Sequence, residues 1–400
     1  MIAAAALLGA TFYGEVLPVL QRRCQSCHRP GEAAPMPLLT YQEARPWAKA
    51  IRQAVLSRRM PPWFAAYSSV PLENNPSLSA DEIRVIDEWA SHGAPAGDPK
   101  IAPPPPAFTE GWNIPQPDLT VRMPAPVAVP AREELDYQFV ILPLGLHEDR
   151  WVQAAEIRPG VRGIVHHAVA YIREPGSDWL RGAAPGKPFS QPGVTRSDIL
   201  AIYAPGQPAM RCPPGMAKKI PAGSDLVLQM HYTPNGAAVE DRTSVGIVFA
   251  GSPPQKRVLT LQLGTTAFRI PAGDRDYRVS VSGTLPNEAL LLSLFPHMHL
   301  RGKAFEYSIA APGGRYETLL RVAPYDFYWQ LDYRLAQPRL LPKGTRLVCT
   351  AWYDNSPGNP RNPDPGEDVV YGEQSRDEMM VGFFDVAVPA GVDKFQFFVR

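Results

Sequence analysis

The chain has 400 residues, 45% of them hydrophobic, with 40 Lys and Arg against 39 Asp and Glu. That length exceeds what one hydrophobic core usually serves, and a formal net charge of +1 gives no electrostatic reason for a nucleic-acid or acidic-lipid partner. The 46 prolines exclude long helices and central strands and favour short strands and turns, and four cysteines, two of them in one motif, exclude a disulfide scaffold.

No apolar run reaches the ~20 residues that span a bilayer, so no transmembrane segment is expected. Met1–Ala10 (MIAAAALLGA) reads as the remnant of an export signal or as a trimmed start, because no basic residue precedes its apolar core. Residues 1–100 then read as helical. Phe12–Arg23 leads into a cysteine motif, and Tyr41–Ser57 carries helix formers with apolar residues at turn spacing. Ser79 with Glu82 makes a capping box before Ile83, Ile86, Trp89 and Ala90, and His92-Gly93 closes that helix. Ile101–Asp118 is Pro-rich and aperiodic, a stiff linker. Beyond it come short apolar or alternating runs: Tyr137–Leu144, Gly163–Ile172, Asp225–Tyr232, Ala289–Phe295, Arg346–Tyr353 and Met379–Val388. Such runs, separated by turn residues, predict antiparallel β-sandwiches. A break at Gly251–Lys256 (GSPPQK) divides them into 119–252 and 253–400.

Cys24-Gln25-Ser26-Cys27-His28 is the C-x-x-C-H of covalent c-type haem attachment. Two thiols three residues apart reach the two vinyl groups, and the next His ligates the iron. A redox dithiol would sit at a helix N-terminus in a βαβ setting, and a zinc site would need two more ligands where only His92 is near. Met60, before Pro61 and Pro62, is the expected second axial ligand, although a lone Met is usually core. Covalent haem implies a periplasmic or secreted protein.

Five of the remaining histidines fall in three patterns on predicted strands: His166-His167, His231, and His297-Met298-His299. Residues two apart on a strand share a face, so His297 and His299 converge on one ion. Adjacent His166 and His167 would diverge, and can chelate together only at a bulge or strand end. His92 and His147 are read as ordinary histidines. For the clustered five, metal ligation is favoured over a satisfied core, with Zn, Cu, Fe and Ni all suited to imidazole.

From roughly Asp118 to Arg400 the sequence resembles the copper type II, ascorbate-dependent monooxygenases, which include the peptidylglycine α-hydroxylating and dopamine β-monooxygenases. The resemblance implies two jelly-roll β-sandwich domains, each holding one of two copper ions. The first ion would be held by His166, His167 and His231, with Gln229 two residues before the last. The second would be held by His297, His299 and Met379, within HMHLRGK and SRDEMM. A thioether suits Cu(I), and on a strand Val381 and Phe383 would share the face of Met379. Peptide-amidating members hold the substrate carboxylate with an Arg and a Tyr where this chain has Phe295 and Phe383. The family's cysteine after the Met is replaced by Met380, so Cys349 lacks that partner and a bond to Cys212 stays open.

The expected fold is thus a small all-α cytochrome c domain followed by two all-β antiparallel jelly-roll sandwiches, an order similar to a group of bacterial fusion proteins. The expected activity is O2-dependent hydroxylation of a C–H bond in a small organic substrate. Haem c supplies the electrons, with room for an external donor, and His297, His299 and Met379 form the catalytic site. The alternatives are an oxidoreductase of dehydrogenase type passing substrate electrons out through the haem, and a non-catalytic copper-binding electron carrier. No dinucleotide fingerprint, phosphate loop, HExxH or nucleophile elbow is present.

Overall fold

The computed structural model describes residues 9–32, 34–108, 111–133, 135–190, 198–394 and 397. Most of the apolar opening, residues 1–8, lies outside them. The chain is mainly β, with 37% strand and 12% helix, and divides into two compact units. One comprises Met1–Trp63 with Asn75–Glu110, the other Phe64–Asn74 with Gly111–Arg400.

The first unit is built from short helices. A π-turn at Phe12–Val16 runs into Leu17–Arg23. The expected helix Tyr41–Ser57 is divided into Tyr41–Ala44 and Ala48–Leu56 by a 3-10 turn at Arg45–Trp47, because Pro46 has no N–H to continue the ladder. Ser79 and Glu82 form their capping box at the start of Ala80–Ser91, and Gly93 follows at φ +85°. Phe12, Leu20, Ile51, Val55, Ile86 and Trp89 make the shared core.

Two boundaries differ from the sequence reading. Phe64–Asn74 lies inside the stretch 1–100 but belongs to the second unit: Ala65–Ser68 is a strand paired antiparallel with Glu317–Val322. Four residues between two helices carry too little pattern to announce a strand. The Pro-rich stretch 101–118 is not a free spacer either. Pro104 accepts from Gln21 Nε2 at 3.1 Å and the Phe108 ring lies 4.4 Å beneath Arg29, both within the first unit. Within the second, Asn113 donates through its main-chain N and Nδ2 to Glu156. Carbonyls and rings of an extended segment are open to such side chains.

The second unit holds three principal sheets. A four-stranded antiparallel sheet runs Gln138–Pro143, Asp225–Tyr232, Val165–Arg173, Asp198–Tyr203. A five-stranded sheet runs Ala65–Ser68, Glu317–Val322, Gly302–Ala310, Arg346–Tyr353, Tyr277–Thr284. A nine-stranded sheet contains strands from both halves of the unit. Its join is a parallel pairing of Met216–Ile220 with Lys256–Gly264, Lys256 opposite Met216 and Arg257 opposite Ala217. The sheet therefore passes through the expected break at Gly251–Lys256. One core lies between the four-stranded sheet and the near part of the large one, with Val140, Leu228, Ala155 and Ile247 among its residues. Among the described residues no helix is long and apolar enough to cross a membrane.

At the far end the large sheet packs tightly. A Cβ added to Gly382 would stand 2.5 Å from Cys349 Sγ and 2.9 Å from Tyr307 Cε1. Gly382→Ala is expected to destabilise the protein by about 1–3 kcal/mol through overpacking, whereas Gly391→Ala, with nothing within 4 Å, should change little. Urea unfolding of both variants checks this.

Candidate metal centre

The second unit brings the five clustered histidines together. His167 stands directly opposite His231 across the strands Val165–Arg173 and Asp225–Tyr232, but the next pair is Tyr232 with Val165. His166 is the extra residue of a β-bulge. That bulge is what lets neighbours in sequence turn to one side. His166 Nδ1 lies 3.0 Å from His167 Nδ1 and 3.1 Å from His231 Nδ1. An edge of about 3 Å is what two nitrogens show when each lies ~2.0–2.1 Å from one ion. All three rings are buried, at 7%, 5% and 8% exposure, and burial lowers each pKa, that of His166 to about 4. They are neutral, as ligation requires.

The His-x-His pair is placed less regularly than expected. The strand Ala289–His297 ends at its first member, and His299 lies beyond it, the rings 5.2 Å apart at 89°. Met379 likewise precedes the strand Val381–Pro389 instead of lying on it, so Val381 and Phe383 do not share a strand face with it. The link between these segments is Glu378. Its carboxylate accepts from the main-chain N of His299 at 3.0 Å, of Arg301 at 2.6 Å and of Met379 at 3.2 Å. Burial pushes its pKa up to about 8 against those hydrogen bonds. His299 is fully buried, and neither ring nitrogen has a hydrogen-bond partner among the described residues. His297 is held through Nδ1 by Gln330 Oε1 at 2.7 Å, which leaves Nε2 as the atom it could offer a metal.

Four further residues complete the surroundings. Phe327 stacks on His166 at 4.7 Å and meets His299 edge-on at 6.2 Å. Tyr137 packs on His231 at 4.6 Å, and Ser375 Oγ lies 3.3 Å from His231 Nε2. With Gln330, these were not singled out from the sequence. The one signal was the dense aromatic run Tyr325-Asp326-Phe327-Tyr328-Trp329-Gln330. Phe295 and Phe383 are cross-strand partners, rings 5.9 Å apart, and Phe383 is 6.4 Å from the His297 ring. Both line a cavity of about 230 Å³ with Ile199, Leu200, Val258 and Leu292.

In the first unit, Cys24 follows the helix Leu17–Arg23, and Cys27 and His28 donate their main-chain N–H groups to Cys24 O at 3.1 and 2.9 Å. His28 Nδ1 lies 3.1 Å from Met36 O. A proton on Nδ1 donated there fixes the tautomer and frees Nε2 for a metal. Met60 is half-buried in the same unit, its N donating to Ala54 O at 3.2 Å. None of the four cysteines is in a disulfide, so Cys212 and Cys349 are not joined. Both are buried, and burial raises the Cys212 thiol to about 11.

No family model and no curated protein matches the chain. Among solved structures, a chain of the infectious bursal disease virus Gx strain is 9% identical, over 74% of this chain and 77% of that one, with a TM-score of 0.19. One of the Gt strain is 10% identical, over 74% and 78%, with a TM-score of 0.17. At such TM-scores the likeness carries no argument.

Because Gln330 fixes His297, Gln330→Leu should weaken metal binding at His297 and His299 roughly 10–100-fold, the usual effect of losing such a support. The His166 group should stay loaded. Metal titration of both groups checks this, and an unchanged affinity would mean that the amide does not orient the ring.

Proposed function

We propose that the chain is an O2-dependent copper monooxygenase that hydroxylates a C–H bond of a small organic substrate, with electrons supplied through a covalently attached c-type haem. The observation that carries this reading is the convergence of three buried imidazoles whose ligand atoms lie within 4.8 Å of one another, beside a buried His299 whose ring nitrogens meet no hydrogen-bond partner among the described residues. When bound, copper would supply one-electron redox chemistry and reactivity toward O2, and haem would supply single electrons.

His166, His167 and His231 would hold one copper ion. His297, His299 and Met379 would hold the other, with Glu378 keeping the His299 and Met379 segments together. Cys24 and Cys27 would carry the haem, His28 would ligate it through Nε2, and Met60 would be the opposite ligand. That attachment accords with a periplasmic or secreted protein.

The substrate side favours an apolar, uncharged molecule. Phe295 and Phe383 offer a carboxylate no donor, and Arg301, the nearest cation in sequence, is already committed. Its Nε donates to Asn355 Oδ1 at 2.7 Å and its Nη1 to Arg376 O at 2.8 Å. Two cations on the cavity wall are also engaged: Lys218 Nζ donates to Ile199 O and Thr260 Oγ1 and faces Asp385, and Arg334 pairs with Asp332. An acid placed against Phe295 and Phe383 would meet no charge partner from these residues.

The haem assignment has a direct check. Protein matured with haem should keep its haemochrome spectrum after denaturation and acid–acetone extraction, and Cys24→Ala or Cys27→Ala should weaken or abolish attachment. Haem that extracts freely from the wild type overturns it.

The activity is checked by oxygen uptake. Copper-loaded protein with a reductant should consume O2 when offered small uncharged organic substrates, and His299→Ala and Met379→Ala should abolish the substrate-dependent part. Turnover that needs no O2 and reduces an artificial haem-linked acceptor would mean dehydrogenase chemistry instead.

A further inference from the structure

We infer that the cavity in the second unit binds a small apolar alcohol, its hydroxyl held between Lys218 and Asp385 and its apolar body against Phe295 and Phe383. That this molecule is the substrate rests on the copper reading above; that it binds does not.

The cavity lies on one face of the nine-stranded sheet, and register decides what lines it. Thr260 and Ser293 both stand opposite Asp385, on the strands either side of it, and Phe295 stands opposite Phe383. Residues two apart on a strand share a face, so the two Phe residues and the Asp385 row look to the same side, about 7 Å apart along the strands. All five line the cavity. The apolar end is the one next to His297, whose ring is 6.4 Å from that of Phe383. The polar end lies farther from it along the same strands.

That polar end has one acceptor and one donor to spare. Asp385 Oδ1 accepts from Thr260 Oγ1 at 2.5 Å. Among the described residues its Oδ2 accepts no hydrogen bond and faces Lys218 Nζ at 3.7 Å, beyond hydrogen-bond distance. Lys218 Nζ spends two of its three protons, on Ile199 O at 2.8 Å and Thr260 Oγ1 at 2.9 Å. A hydroxyl placed there donates to Asp385 Oδ2 and accepts from Lys218, whereas a hydrocarbon leaves both unmet. Neither ion suits the pair: a carboxylate meets the charge of Asp385, and an ammonium meets that of Lys218.

The site is open and small. The Asp385 side chain is 25% exposed although its strand is paired on both sides, so the cavity leaves it within reach. Glu73 and Arg211, both exposed, also line the cavity, which gives it an entrance. Its volume of about 230 Å³ is below the ~300–1,000 Å³ of sites for drug-sized ligands and above the ~150 Å³ that holds benzene. One ring with a short arm fits, and a hydroxyl anchored at the polar end turns the ring toward His297.

Full-length protein, with no copper or reductant added, is titrated by calorimetry at pH 7 with benzyl alcohol, toluene, benzoate and benzylamine. Benzyl alcohol should bind tightest, roughly 10–100-fold more tightly than toluene, as hydrogen bonds to charged groups imply. Lys218→Met combined with Asp385→Leu removes the pair together, so that neither charge is left alone. That double variant should bind the alcohol no better than toluene and toluene as the wild type does, whereas a collapsed cavity would lose both.

Equal binding of the alcohol and toluene to the wild type, tighter binding of either ion, or binding of none of the four overturns the inference and leaves the copper reading untouched. A preference for the alcohol that survives in the double variant also overturns it, because the hydroxyl is then held elsewhere. Selective binding by protein that takes up no oxygen when loaded with copper supports the site and removes the copper reading. The wild-type series decides by itself, so the result does not depend on the double variant folding.

Discussion

Keeping five imidazoles away from water is the constraint on which the rest of the second unit depends. An unpaired buried polar group costs roughly 1–3 kcal/mol, and a charged imidazole in that interior would cost more, so the rings stay neutral. The fold meets this need residue by residue. Gln330 satisfies His297, Ser375 approaches His231, and the bulge turns His166 toward its neighbours. His299 alone is left with both nitrogens unmet. Sheets, bulge and loops are arranged around a demand that the described protein groups leave incompletely satisfied, at His299 and at His166 Nε2.

Glu378 shows how the same demand reaches the backbone. A carboxylate in the interior must be surrounded by donors, and three main-chain N–H groups converge on it. These belong to two segments almost eighty residues apart, so satisfying one acid fixes the relative positions of His299 and Met379. Tyr325 adds a second tie, its hydroxyl accepting from Met298 N at 3.0 Å and donating to Met298 O at 2.8 Å.

Much of this was legible in the sequence where chemistry and spacing coincide. The capping box at Ser79 and the strands Asp225–Tyr232 and Arg346–Tyr353 follow from local rules, because each is decided by neighbours in the chain. The adjacent pair His166-His167 was legible only as a condition, a bulge or a strand end, and the cross-strand pairing that decides it involves Tyr232, some 65 residues away. His299 and Met379 fall just outside strands whose ends no local pattern marks. Phe327, Gln330 and Ser375 are ordinary residue types in loops, and their roles come wholly from tertiary placement. The continuous large sheet was hidden for the same reason: its join is two residue pairs long, while the Gly-Ser-Pro-Pro stretch beside it has every local mark of a boundary.

The strand Ala65–Ser68 has a bearing on how such a chain could be inherited or divided. It is drawn from the middle of the first unit, yet it forms the outer edge of a sheet in the second, next to Glu317–Val322. The chain passes from one unit to the other after Trp63, again after Asn74, and again after Glu110. A recombination breakpoint in the Pro-rich stretch would therefore not separate two self-sufficient genes. It would carry the edge strand away with the helical part and leave Glu317–Val322 with bare N–H and C=O groups, the kind of edge along which sheets of different molecules join. Shuffling these units without aggregation would require the small strand to travel with the sheet it completes, so the two parts are bound as an inheritance unit by four residues.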